Sequence, residues 1–284
     1  MSRGLHLNGA TIMTTDSVRH LEVARRAGYA GVELRAERLL AAPDEVRAAG
    51  SHATGGEVWS LNGVRITLRS DGTLDRETLE ADLGPRLDVC RAVGAAYLLA
   101  VPPRLPGVDR ERALAGVREG LRLAADRAAD AGIGVAFEFL GFFDCPIDSP
   151  ALAGRAVEGL AGVDLVLDSC HWHASGSQSL DGFPVERLRM VHLNDAPAKD
   201  PDRVEDADRL LPGEGVIALP SLVSQLAARS YRGPWSLETF NPAHWRADPL
   251  AVAEEGRARL RALLGPLADG TDPGASLDGG EGPA

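Results

Sequence analysis

The sequence predicts an α/β protein folded as a closed (β/α)8 TIM barrel, and three observations predict it. Short runs rich in Val, Ile and Leu alternate with longer segments of helical period, the mark of βα units laid around a parallel sheet. About eight such units can be counted, and a chain of 284 residues suits one barrel of that kind. No Gly-rich dinucleotide fingerprint joins a strand to a helix, and Gly213-Glu214-Gly215 is too short for a phosphate loop.

The first strand is expected over residues 5–7, followed by a helix opening at Asp16 or Ser17, with Val18, Leu21 and Ala24 on one face and Gly28 as its stop. Gly31–Arg35 supplies the second strand. After a helix around residues 44–49 and a glycine-rich turn, residues 58–68 form the third strand, and Leu79, Leu83, Leu87 and Cys90 stripe the next helix. Residues 96–101 are the fourth strand. The helix over 109–131 carries Leu114, Val117, Leu121 and Ala125 at three-to-four spacing and ends at Gly132. Strand five covers 134–140. Ser149-Pro150 pairs a capping residue with proline at the first helical position, so a helix starts there and leads to strand six at 165–169. Strand seven is 190–194; a long polar loop, 196–215, precedes a helix over 220–230 and strand eight at 235–239. Asp248-Pro249 caps a last helix that ends at Gly265. Residues 1–265 therefore form a single barrel domain. The Gly-, Asp- and Pro-rich stretch 266–284 has too little apolar surface to offset its ordering entropy and is expected to be disordered.

A hydrophobic content of 44% with 25% charged residues is globular, and a formal net charge of −11 repels a phosphate backbone. No basic run interleaved with aromatics offsets that charge, which excludes nucleic acid as the expected partner. Cys90, Cys145 and Cys170 are odd in number and fit neither a disulfide framework nor a CxxC zinc pattern. Met1 leads directly into Ser2 and Arg3 without an apolar signal core, and no run is long enough to cross a bilayer. The expectation is a cytoplasmic protein with no membrane partner.

Four apolar strands finish on a polar residue: Glu138 follows Val135-Ala136-Phe137, Asp168 follows Leu165-Val166-Leu167, His192 follows Met190-Val191, and Glu238 follows Trp235-Ser236-Leu237. The C-terminal strand ends of such a barrel carry its active site, so these four belong at one mouth. Three carboxylates buried side by side need protons or a cation to offset their repulsion and desolvation. Three carboxylates and one imidazole suit Mn²⁺ first, with Mg²⁺, Co²⁺ and Zn²⁺ as alternatives. His171 lies three residues past Asp168 and can direct its ring at a substrate oxygen; for His173 a capping role weighs as much as a functional one. Asn62 and Trp59 can line the pocket from strand three, or serve the core. His6, His20, His52 and His244 have no comparable context and read as surface or packing residues.

Several of these segments resemble a known family. Glu138-Phe139-Leu140-Gly141, Leu167-Asp168-Ser169-Cys170-His171-Trp172-His173, His192-Leu193-Asn194-Asp195, the stretch from Asp208 to Gly215 and Leu237-Glu238 are similar to the xylose-isomerase-like TIM-barrel sugar isomerases and epimerases, and within them to the inosose (2-keto-myo-inositol) isomerases. The resemblance implies that Glu138, Asp168, His192 and Glu238 are metal ligands and that His171 and Arg209 contact substrate oxygens. It also implies that Glu138 and Glu238 form the acid/base pair. Cys170, Trp172 and the loop 196–208 depart from the family pattern and bear on substrate size.

The implied chemistry is metal-assisted proton abstraction from the carbon between a carbonyl and a hydroxyl, giving an enediolate. Returning the proton to the neighbouring carbon isomerises; returning it to the opposite face epimerises; expelling a β-hydroxyl dehydrates. The expected partner is therefore a small polyol or ketose, unphosphorylated because Arg209 is the one evident cation nearby. The alternative view of Arg209 is a partner for Asp206 or Asp208. A homo-oligomer stays open. A phosphodiesterase of the apurinic endonuclease kind would want more histidine ligands and a basic groove. A Schiff-base aldolase is excluded because the only lysine, Lys199, falls in the loop after strand seven. A non-catalytic sugar-binding subunit would be expected to lack one of the two glutamates.

Overall fold

The computed structural model describes residues 4–269. In chain order these form β1 (Leu5–Asn8), α1 (Ser17–Ala27), β2 (Gly31–Arg35), α2 (Ala36–Ala41), α3 (Pro43–His52), β3 (Val58–Arg65), α4 (Arg76–Val93), β4 (Tyr97–Val101), α5 (Arg110–Ala129), β5 (Gly134–Glu138), α6 (Pro150–Val157), β6 (Val163–Asp168), α7 (Ser169–Ala174), β7 (Leu188–Leu193), α8 (Leu219–Ala228), β8 (Trp235–Leu237), α9 (Pro242–Arg246) and α10 (Pro249–Leu264). Each strand pairs in parallel with the next, and β8 pairs with β1, so the sheet closes as the expected eight-stranded barrel.

Strand alternation decides what faces the barrel axis. Leu98, Ala100, Val135, Phe137, Leu165, Leu167, Val191 and Leu193 point outward into the large core beneath the helices. Their neighbours Tyr97, Leu99, Ala136, Val166 and Met190 point inward and, with Trp59, plug the barrel as a separate cluster. Two residues further along β5, β6 and β7 the same inward register delivers Glu138, Asp168 and His192 to the C-terminal mouth. Trp59 belongs to the plug, stacked on Tyr97 with ring centroids 4.8 Å apart, and does not line the mouth. A large indole at that inward position fills the axis.

Helix starts follow their caps. The side chains of Asp16, Asp75, Asp109 and Asp248 accept from the backbone of α1, α4, α5 and α10, each bond contributing about 1 kcal/mol. Gly28 ends α1 in the left-handed region, φ 81°. Ser149 occupies the cap position of α6 but its side chain makes no capping bond; extended backbone at Ser149 and proline at the first turn set that start instead.

Other expectations need correction. The third and fifth strands stop at Arg65 and Glu138, because the apolar residues beyond them are used elsewhere: Leu68 bridges to Leu74 in a small antiparallel turn, and Phe139 packs into the large core. Helices α2, α7 and α9, each of six residues or fewer, were not expected from periodicity, which needs longer windows. The stretch expected to be disordered begins in a 3-10 turn, Gly265–Asp269, held by buried Ala268 and an Arg261–Asp269 ion pair; the expectation for 270–284 lies outside the described residues. Among the described residues no helix is long and apolar enough to cross a membrane.

Candidate metal centre

Glu138, Asp168, His192 and Glu238 each offer one ligand atom, and these atoms lie within 4.8 Å of one another with all four residues buried. His192 Nδ1 is 3.0 Å from Glu138 Oε1 and 3.2 Å from Glu238 Oε2. Such separations match neighbouring corners of a coordination shell with bonds of about 2.0–2.3 Å. The donor set therefore fits a divalent cation.

Asp168 does two jobs with its two oxygens. Oδ1 accepts from the His171 backbone N–H at 2.9 Å and so caps α7, which turns the chain immediately after β6. Oδ2 faces the cluster and accepts from Asn194 Nδ2 at 2.7 Å and from Arg209 Nη1 at 3.0 Å. Gly141 keeps α7 in place: a Cβ there would sit 2.0 Å from the His171 carbonyl oxygen, so the loop after β5 can cross the helix only as glycine.

Arg209 is brought into the cluster from the long loop and is 1% exposed. Its Nη1 lies 2.7 Å from Glu238 Oε2, and its Nη2 lies 2.8 Å from Asp206 and 3.1 Å from His171 Nε2. The ion pair with Asp206, one of the two views of this residue, is present, and the same guanidinium also reaches Asp168 and Glu238 in the cluster. Asp195 anchors the loop's exit by accepting from the backbone N–H groups of Gly213 and Ile217 at 3.0 and 2.9 Å. An arginine nitrogen can only donate, so His171 Nε2 must be the acceptor and Nδ1 carries the proton. That Nδ1 and Arg209 Nε are buried without a hydrogen-bond partner. Asn62 Nδ2 reaches Glu238 Oε1 at 3.4 Å.

Electrostatics separates the ionisable groups. Burial drives the Glu138 carboxyl up to about 7, with Glu238 and Asp168 adding to the rise and His192 opposing it. Burial also acts to raise Glu238, but His192, Arg209 and Arg35 outweigh it and hold that carboxyl well below the usual range. Burial disfavours a charged His192, yet Glu238, Glu33 and Glu138 around it push its pKa well above the ordinary value. His171, desolvated by burial, falls to about 4 and is neutral at pH 7. Burial pushes the Cys170 thiol up to about 12, which makes it unreactive. His173 is half-buried on α7 with Nε2 unpartnered and reaches none of the four clustered carboxylate and imidazole side chains by a hydrogen bond.

Two inward residues of β2 escaped the sequence reading. Glu33 is fully buried with its carboxylate against His192 Nε2 at 3.1 Å. Arg35, two positions on, places its guanidinium 5.3 Å from the Phe240 ring centroid, and Arg209 lies 5.1 Å from the same centroid. The signal was present as alternation in Val32-Glu33-Leu34-Arg35, which turns both charges to the axis once the apolar pair faces the helices. A second guanidinium near the mouth also corrects the view of Arg209 as the one nearby cation.

Comparison with known proteins places these features in a family. The family model described as Xylose isomerase-like TIM barrel matches residues 21–263. An inosose isomerase of Bacillus licheniformis is 26% identical over 251 residues, covering 83% of this chain and 88% of that protein. Another, from Halalkalibacterium halodurans, is 29% identical over 168 residues, 56% of this chain, and the match spans 58% of that protein's length. A 3-dehydroshikimate dehydratase of Pseudomonas aeruginosa is 30% identical over 266 residues, covering 86% of this chain but 39% of the relative. Among solved structures, the IolI protein with a bound zinc atom superposes with a TM-score of 0.83 at 22% identity, covering 92% of this chain and 98% of that one. With a family model matching most of its length and a closed barrel of the same architecture, the chain belongs to the xylose isomerase-like TIM barrel family.

Proposed function

We propose that the protein is a divalent-metal-dependent isomerase of a keto-cyclitol or ketose, of the inosose isomerase kind. The observation that carries this reading is the pair of buried glutamates, Glu138 and Glu238, both within 3.2 Å of His192 Nδ1 at the barrel mouth. Glu138, Asp168, His192 and Glu238 would hold the ion. The donor set favours Mn²⁺, and the zinc in the IolI structure supports a divalent ion without choosing between the two. When bound, such an ion polarises a carbonyl and its neighbouring hydroxyl and stabilises the charge that develops on them.

The protein's own residues do the rest. One glutamate takes the proton from the carbon bearing the hydroxyl, and a glutamate returns it to the neighbouring carbon. The orphaned Nδ1–H of neutral His171 donates to a substrate oxygen, recovering a hydrogen bond whose absence costs about 1–3 kcal/mol. Arg209, fixed by Asp206 and stacked against Phe240, orients the substrate with its remaining N–H. Return of the proton to the opposite face would instead epimerise, which keeps a ketose 3-epimerase as the near alternative.

A second reading is favoured by Arg35. Two guanidiniums beside Phe240 suit a ring ketone that bears a carboxylate, and the dehydratase relatives supply a precedent for loss of water rather than transfer of a carbonyl. One experiment addresses both. Metal analysis of the purified protein is followed by incubation of inososes, free ketoses and carboxylated cyclohexanones in deuterated water, with NMR after removal of the ion. Deuterium in a product with a moved carbonyl supports the isomerase; an eliminated water supports the second reading. The Glu138→Gln variant is expected to lose about 10²–10⁴ in exchange rate, and retained exchange would sink the role of Glu138.

A further inference from the structure

Glu33 stands apart from the ligand set and has no place in the proton transfers just described, yet it is among the most completely enclosed charges in the barrel. It extends from β2 across the interior to β7, three strands away round the closed sheet. Its Oε1 accepts from Ser236 Oγ at 2.5 Å and Asn8 Nδ2 at 3.2 Å; its Oε2 lies 2.8 Å from Ser60 Oγ and 3.1 Å from His192 Nε2. Side chains from β1, β3 and β8 therefore fix the carboxylate, and only then does it meet the imidazole. The other ring nitrogen, Nδ1, faces Glu138 and Glu238.

We infer that Glu33 is a positioning residue that holds His192 in the tautomer and ring orientation needed to present Nδ1 as a metal ligand. The inference rests on the metal-centred reading above. A carboxylate is acceptor-only, so Nε2 against Glu33 keeps its proton; Nδ1, which faces Glu138 and Glu238 and also carries a proton in the ion-free cluster, is then the nitrogen that gives up its proton and offers its lone pair to a cation. Imidazole ligands in metal sites commonly have such a carboxylate behind them, and its loss weakens metal binding about 10–100-fold. The hydroxyl and amide groups around Glu33 make it a rigid support, because Oε1 is tied to β1 and β8 and Oε2 to β3 independently of His192. A side-chain amide of the same size fits poorly in its place: its NH₂ group would meet the donating Asn8 Nδ2, or would donate to His192 Nε2 and drive the proton onto Nδ1.

The test compares the wild type with Glu33→Gln by chelator competition for Zn²⁺, with ¹⁵N spectra of labelled histidine in the zinc-loaded wild type. The expected results are a dissociation constant raised about 10–100-fold in the variant, and a wild-type His192 that is zinc-bound at Nδ1 and protonated at Nε2. Unchanged affinity in a folded variant overturns the assignment, and so does a wild-type spectrum with zinc on Nε2. The spectrum needs no variant, so a Glu33→Gln protein that fails to fold does not rescue the inference. A wild type that binds no divalent ion removes the metal-centred function itself, a result distinct from normal binding with an indifferent Glu33.

Discussion

At the residue scale, the cluster is a problem of charge that the chain solves in part by itself. Arg209 sits where it neutralises Asp168 and Glu238, at 3.0 and 2.7 Å, while both carboxylates are buried. Removing one partner of a buried pair leaves an uncompensated charge and costs about 3–5 kcal/mol. Arg209→Leu should therefore lower the thermal midpoint of the metal-free protein, and a divalent ion should recover more of the variant's stability than it adds to the wild type. Melting curves of both proteins with and without metal check this; equal gains in the two would show that Arg209 and the ion do not share the same carboxylates. The four clustered residues were legible because each ends an apolar run, a position where a polar side chain has no packing purpose. Glu33 was not, because it lies inside a strand and its partners Asn8, Ser60, His192 and Ser236 come from four other strands that only the closed sheet brings together.

At the element scale, long amphipathic helices and buried parallel strands announced themselves, since α4, α5 and α10 repeat their apolar stripe over many turns. Short α7 did not, because Asp168-Ser169-Cys170 continues a strand-like pattern until the aspartate's second oxygen caps the helix. The packing of α1 on β1 carries a consequence for acid stability. His20 on α1 donates Nε2–H to the Leu7 carbonyl at 3.0 Å, and burial depresses its pKa to about 4 despite that bond and the nearby Glu33 and Glu57. The unfolded chain binds this proton near the ordinary histidine pKa of about 6.5. Between those two values the unfolded state holds more protons, so stability is full above about pH 6.5 and falls as the pH drops toward 4. His20→Gln keeps a donor and removes the titration. Urea midpoints at pH 7 and pH 4.5 should therefore show a loss smaller than the wild type's by roughly 2–3 kcal/mol. An identical loss in the variant would remove His20 from the account of acid sensitivity.

At the scale of the whole molecule, the number and order of the strands could be read from alternation alone, whereas closure could not: pairing of β8 with β1 joins residues more than two hundred positions apart. Closure is what makes the candidate ligand set a property of the folded state only. Glu138, Asp168, His192 and Glu238 arrive on β5, β6, β7 and just after β8, and an unfolded chain has no such arrangement. An ion that binds only the folded barrel stabilises it by about 2.7 kcal/mol at a free concentration one hundred times its dissociation constant. For a domain of this size each kcal/mol moves the midpoint by roughly 2–4 °C, so Mn²⁺ or Zn²⁺ should raise the melting temperature by roughly 5–10 °C. A chelator should reverse the rise. His192→Ala removes the nitrogen that lies against both glutamates and should abolish most of the shift while leaving the far-ultraviolet circular dichroism of the barrel intact. If the variant and the wild type gain equally from the ion, the cation binds elsewhere on this acidic protein and the four strand ends are not its site.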